Sequence, residues 1–189
     1  MALLHHATLT PTKKELLDAW LPGQDWAAGL GDPAGLSVVG GYRFDDPDGE
    51  VGVEGIVLRA GDGSFAHVPL TYRDAPLDGA EEHLVGTLEH SALGTRWVYD
   101  AEADPVWQAT VTATVLEGGS GAEEYFEVDG VREAREPLVA VQGSGGAVAD
   151  PVAVPVHLVG SAGPGEARLT GRWAGGEGVL VVVRSAASR

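Results

Sequence analysis

The stretch Thr12–Gly29, TKKELLDAWLPGQDWAAG, opens as a helix and closes as a turn. Thr12 followed three residues later by Glu15 is the capping-box pattern, in which each side chain satisfies a free amide at the helix start. Lys13, Leu16, Leu17, Ala19 and Trp20 keep the helical period until Pro22 and Gly23 stop it. Trp20 falls on the apolar side with Leu16 and Leu17, and Trp26 returns in the following loop to cover it. Large aromatics at this spacing read as two core tryptophans.

Outward from this helix the chain reads as β structure. Ser37 to Phe44, Val51 to Ala60 and Ser64 to Tyr72 form a meander with Asp48-Gly49 and Asp62-Gly63 at its joins. Leu84 to Ser91 and Thr95 to Asp100 form another hairpin around Leu93-Gly94. On the other side of the helix, Leu3 to Leu9 is a first strand or an entry segment. Asp104-Pro105 gives an N-cap with proline at the first helical position, so Val106 to Glu117 reads as a second helix ended by Gly118-Gly119. A strand is the alternative there, because Thr110 to Val115 alternates threonine with Val or Ala.

Tyr125 to Val128 and the run from Val131 flank Asp129-Gly130, a two-residue hairpin signal. Gly143 to Pro155 is rich in Gly, Ala and Pro and reads as a linker or long loop. Val156 to Gly160, Ala167 to Trp173 and Gly178 to Arg184 then give three more strands. The expected organisation is a domain over 1–142, a loop over 143–155, and a C-terminal β extension over 156–189 packed on the same domain.

Composition bounds the function. With 189 residues and 44% hydrophobic content the chain can bury a core, and without cysteine it has no disulfide, thiolate metal site or thiol nucleophile. A net charge of −16, spread along the chain, disfavours nucleic acid, whose phosphates need clustered Lys and Arg. No apolar run approaches the roughly 18 residues of a membrane span. MALLHHATLT lacks the basic start of a secretory signal, so a cytoplasmic location is expected.

Catalytic signatures are absent from the pattern. The only lysines are Lys13 and Lys14, neither follows a glycine-rich loop, and no magnesium-binding frame for phosphoryl transfer occurs. There is no G-x-S-x-G elbow and no H-E-x-x-H helix. The six histidines, His5, His6, His67, His83, His90 and His157, lack ligand spacing, and no cofactor is expected. The acidic run Asp45, Asp46, Asp48, Glu50 reads as turn chemistry, not as a calcium loop.

The densest polar and aromatic group is Glu89-His90-Ser91 with Arg96-Trp97-Val98-Tyr99-Asp100. Alternation puts Trp97 and Tyr99 on one face and Arg96 and Val98 on the other. Rings that stack on sugars, beside Glu, His and Arg that bond hydroxyls, make Glu89, His90, Arg96, Trp97 and Tyr99 the expected ligand or partner contact. The competing reading has Trp97 and Tyr99 packed as core.

WLPGQDWAAG, the meander after it, and the run GTLEHSALGTRWVYDA before DPVW resemble the N-terminal cap of actinobacterial maltokinases over roughly Leu16 to Gly130. Asp25 stands where those caps tend to have Arg, and Ala27 where they tend to have an aromatic. The resemblance therefore carries the fold and no catalytic residue. It implies an α+β domain, a cystatin-like curved antiparallel sheet packed on one or two helices, here with additional C-terminal strands. It also implies a regulatory or binding role in α-glucan, maltose or trehalose metabolism, without the kinase that 189 residues leave no room for.

Similar actinobacterial sequences are sometimes labelled 1,4-α-glucan branching proteins, a chemistry that needs a barrel this chain is too short to supply. The leading expectation is a non-catalytic accessory module acting through a protein partner or a glucan. The alternatives are an interaction protein unrelated to sugars and a small enzyme with its site around Glu89, His90 and Arg96.

Overall fold

The structure is a computed structural model that describes residues 2–4, 8–32, 35–128, 131–160 and 166–186, with backbone alone at 2–4, 126–128 and 131–134. The Asp129-Gly130 turn lies outside the described residues. Thirteen strands and two α-helices follow in the order β1 (Ala2–Leu4), β2 (Leu9–Thr10), α1 (Lys13–Trp20), β3 (Ser37–Phe44), β4 (Gly52–Arg59), β5 (Phe65–Arg73), β6 (Leu84–His90), β7 (Gly94–Asp100), α2 (Pro105–Glu117), β8 (Glu124–Val128), β9 (Val131–Arg135), β10 (Val139–Gly143), β11 (Pro151–Gly160), β12 (Ala167–Trp173) and β13 (Gly176–Ser185). The fold is α+β: a large, mostly antiparallel curved sheet packed on two helices, with additional C-terminal strands.

Helix α1 starts where the capping box puts it. Thr12 accepts from the Glu15 amide and Glu15 accepts from the Thr12 amide. Beyond Trp20 the chain tightens into short 3-10 turns over Leu21–Gly23 and Asp25–Gly29, which bring Trp26 back to Trp20 with ring centroids 6.3 Å apart. Both rings are only half-buried, against the expectation of full burial, because they lie at the margin of the core. Asp46 closes the next acidic loop, accepting from the amides of Asp48, Glu50 and Val51.

Strand pairing follows β3-β4-β5-β7-β6-β2 in one direction and β10-β12-β13-β11-β5 in the other. Strand β5 is shared. It pairs β7 over Leu70–Arg73, whereas β11 joins it through Leu158 opposite Ala66. The two strands diverge between these contacts, leaving a fork beside His67, Val68 and Pro69.

Alternation along the strands separates two cores. On one face Leu16 and Leu17 of α1 pack on Ile56, Leu58, Val68, Leu70, Leu88 and Val98. On the other, Tyr42, Phe44, Val53 and Val57 meet Trp107, Val111 and Val115 of α2, and the same cluster takes in Val139, Leu169, Leu180 and Val181 from the C-terminal strands. Trp107, Val111 and Val115 recur every four residues, the helical period, so the helix reading of 106–117 holds and the strand alternative does not.

The glycine-rich run after β10 has a different task from that of a linker. The Gly145 and Gly146 amides donate to the Val115 and Leu116 carbonyls, and Gln142 Nε2 donates to Gly118 O, so this loop satisfies the acceptors that the end of α2 leaves open. A Cβ on Gly143 would stand 2.3 Å from Thr114 O, too close for any side chain.

Pro151 to Pro155, expected as loop, belongs to β11 and pairs β13. The Ala153 amide and carbonyl both bond the Gln108 amide group, so that edge of β11 faces α2. Pro151 and Pro155 share Ala153's parity, which puts their missing N–H groups on this edge and leaves the β13 ladder whole.

Candidate functional site

The β6–β7 hairpin holds all five expected contact residues but does not bring them to one face. Glu89 pairs Thr95, Thr87 pairs Trp97, and Leu88 pairs Arg96. Residues opposite one another share a face, so Glu89, Trp97 and Tyr99 lie together while His90 and Arg96 lie with Leu88 and Val98 on the other side. Tyr99 is 2% exposed, and its hydroxyl accepts from the Leu77 amide at 2.9 Å.

The remaining polar groups serve the hairpin's own turn. Arg96 Nη2 donates to Leu93 O at 2.8 Å, His90 Nδ1 accepts from the Ala92 and Leu93 amides, and Glu89 Oε1 accepts from Thr95 Oγ1 at 2.7 Å. Trp97 is half-buried.

A second polar group forms at the strand fork, from histidines that are scattered in the sequence. His67 is fully buried, with Nε2 2.9 Å from Tyr42 Oη. Its carbonyl, which has no strand partner at the fork, accepts from His157 Nδ1 at 3.1 Å. A carbonyl can only accept, so His157 carries a proton on Nδ1 and, when neutral, presents a bare Nε2. The His157 ring lies flat on Trp26, centroids 4.3 Å apart and planes 7° from parallel.

Burial depresses the His67 imidazole to about 3, and the neighbouring His157 lowers it further within that value. Asp100, at the end of β7, feels the charge of His157 and of His83. Burial nevertheless raises its carboxyl above the ordinary range, and its Oδ1 is buried without a hydrogen bond. The fork thus gathers an aromatic stack, two imidazoles and a carboxyl. A lone polar residue inside an apolar run, as His67 is in Phe65–Leu70, was the available signal.

Two further carboxylates are buried as structural anchors. Glu54 accepts from Lys13 Nζ at 2.7 and 2.5 Å and from Tyr72 Oη at 2.7 Å, tying α1 to β4 and β5. Burial pushes its carboxyl upward, but Lys13 and Arg43 outweigh that and hold it below the usual range. Asp104, fully buried, receives Arg73 Nε and Nη2 at 2.7 and 2.8 Å and caps α2 through the Val106 amide at 2.9 Å. Burial again works upward; the Arg73 hydrogen bonds lead the opposing effects that keep it depressed.

The chain's two lysines are therefore both engaged, Lys13 with Glu54 and Lys14 with Asp18. The surface offers a shallow depression of about 660 Å³ along α2, lined by Ala103, Pro105, Gln108, Ala109 and Thr112, and a cleft of about 310 Å³ between Arg43, Glu124 and Arg135. Among the described residues no helix is long and apolar enough to cross a membrane, and no group of three or more His, Asp or Glu side chains converges as a metal site would require.

No curated protein matches the sequence. A family model does: residues 20–104, from the end of α1 through the tryptophan loop and the β3–β7 sheet to the cap of α2, match the maltokinase N-terminal cap domain.

Proposed function

We propose that this chain is a non-catalytic accessory or regulatory module of α-glucan, maltose or trehalose metabolism that works in the cytoplasm by holding a protein partner or a glucan. The observation that carries this reading is the cap-domain match over residues 20–104. The placement of the polar side chains supports it: the buried Glu54 and Asp104 are tied into ion pairs with Lys13 and Arg73 that dock helices on the sheet, and Lys14 pairs Asp18 within α1. Phosphoryl transfer needs a cation held over nucleotide phosphates, and a lysine already neutralised by a carboxylate at 2.5 Å is poorly placed to serve.

Within this reading the outer face of the β6–β7 hairpin remains the proposed contact, with Trp97 and Glu89 at its centre. His90 and Arg96 brace the adjoining turn, and Tyr99, on the same face, is covered by the loop that carries Leu77.

The test is calorimetric titration of the purified chain with maltoheptaose and, separately, with a maltokinase, alongside an ATP-turnover assay containing maltose. Saturable binding of one titrant without ADP release is the expected result. Failure of both titrants to bind, or maltose-dependent ADP release abolished by a point substitution in this chain, overturns the proposal.

A further inference from the structure

The histidine at the strand fork occupies the seam between the cap segment and the strands that follow it. His67 belongs to β5, inside residues 20–104, and Tyr42 of β3 bonds its Nε2 from the same segment. Further neighbours lie beyond the segment: the His157 ring and the Val156 backbone on β11, and the Leu180 backbone on β13. The charged or titratable groups facing the seam are Tyr42, His157, and Asp100, the last near both His157 and His83. None lies against His67 as a counter-charge. The neighbouring imidazole, His157, can only add repulsion once both rings are charged.

We propose that His67 is an acid-sensitive latch, whose protonation releases β11–β13 from the edge of β5 while the α1 face of the cap sheet stays packed. A positive charge at this fully buried position has no carboxylate to meet it, and hydration requires the seam to open. The buried side chains of the α1-side core come from residues 16 to 98, so opening the seam takes from it only the His157 ring stacked on Trp26 at its margin.

The groups around the seam set the sign and the pH window. A histidine whose folded value is depressed to about 3 contributes stability above its unfolded value of about 6.5, and loses it as pH falls below that. Glu54 and Asp104, both held below their ordinary ranges, stay mostly ionised across this window and keep α1 and α2 anchored. Asp100, raised by burial, gains a proton in acid and works in the opposite direction. Between pH 6.5 and 4.5 the seam should therefore weaken by up to roughly a hundredfold in its opening equilibrium, tenfold per pH unit from one protonation, less what Asp100 returns.

Hydrogen–deuterium exchange of the full chain, corrected for the intrinsic pH dependence of exchange, reads this directly. From pH 7 to 4.8 the amides of 151–185 should lose protection by more than tenfold relative to those of 52–59. His67→Gln, which cannot take up a proton, should abolish the difference. Should that variant fold poorly, the wild-type chain supplies a second readout: NMR of the His67 ring should show it neutral to below pH 4.5 wherever the C-terminal amides remain protected. Equal loss of protection in both segments, an unchanged pH response in His67→Gln, or a His67 ring that titrates near 6.5 with the seam still closed would overturn the latch.

Discussion

The two faces of the cap sheet bury polar groups in opposite ways. The α1 face encloses a charged pair, Lys13 with Glu54, joined by the Tyr72 hydroxyl and drawn wholly from the N-terminal half. The α2 face encloses a neutral pair, His67 with Tyr42, and its core takes residues from both sides of the family boundary at 104. A charged pair stabilises against its own broken form, so one partner's loss is severe. A neutral buried imidazole tolerates its surroundings only while it stays neutral. The first face is thus self-sufficient, and the second is completed by strands outside the cap match.

The contrast breaks most visibly at the anchors. Asp104→Ala should cost about 3–5 kcal/mol, because it strands the Arg73 guanidinium in a part-buried site and uncaps α2 at once. Urea unfolding measures it, and a cost below about 1 kcal/mol would show that α2 is held by its apolar stripe alone. Glu54→Gln should cost less, about 1–3 kcal/mol, since Lys13 keeps more than a quarter of its side chain in water.

Both anchors have folded values below their unfolded ones, so their stabilisation is complete above the unfolded values and is lost as pH falls through the folded ones. Unfolding midpoints of Glu54→Gln and wild type should converge below about pH 4. A gap that stays constant to pH 3 would mean the pair contributes packing and not charge.

The seam supplies the next effect. Trp26→Ala should cost about 1.5–3 kcal/mol, less than a fully buried tryptophan, because the ring is only half-buried against the α1-side core. A double-mutant cycle with His157→Ala should return about 0.5–1.5 kcal/mol of coupling for the stacked pair. Coupling near zero would mean that the tryptophan loop and β11 are held together by something other than this stack.

These regions differ in how far the sequence announces them. Local signals have local causes: the Thr12–Glu15 box, the Asp104-Pro105 cap and the alternating meander all act within a few residues, and each appears where the pattern puts it. The glycine-rich run from Gly143 misleads because its partner, the end of α2, lies more than 20 residues upstream. Composition reports flexibility where the fold requires close approach. Pro151 and Pro155 mislead for a related reason, since a strand tolerates proline only when one edge faces something other than a strand.

The fork was invisible for a third reason. Trp26, His67, Asp100 and His157 come from four separate segments, and no spacing rule links them. The β6–β7 hairpin, by contrast, was placed to within a residue, and alternation rightly separated Trp97 and Tyr99 from Arg96. What alternation alone does not reveal is the loop over 74–83, which covers Tyr99 and leaves Trp97 nearer the surface.

That last difference gives the smallest and sharpest test, within one strand and on one face. Tyr99→Phe removes only the acceptor for the Leu77 amide and should cost about 1 kcal/mol of stability, read as a lowered thermal midpoint, with little effect on any bound ligand. Trp97→Ala exposes no new donor and loses a half-buried ring at the sheet margin. If the outer face is a contact surface, it should weaken maltoheptaose or maltokinase binding by more than about 1 kcal/mol while the midpoint moves less than in Trp26→Ala. The two variants must be compared by calorimetry and thermal unfolding on the same preparations. A Trp97→Ala chain that loses stability but binds as well as wild type would assign the whole hairpin to packing and remove this face from the proposed function.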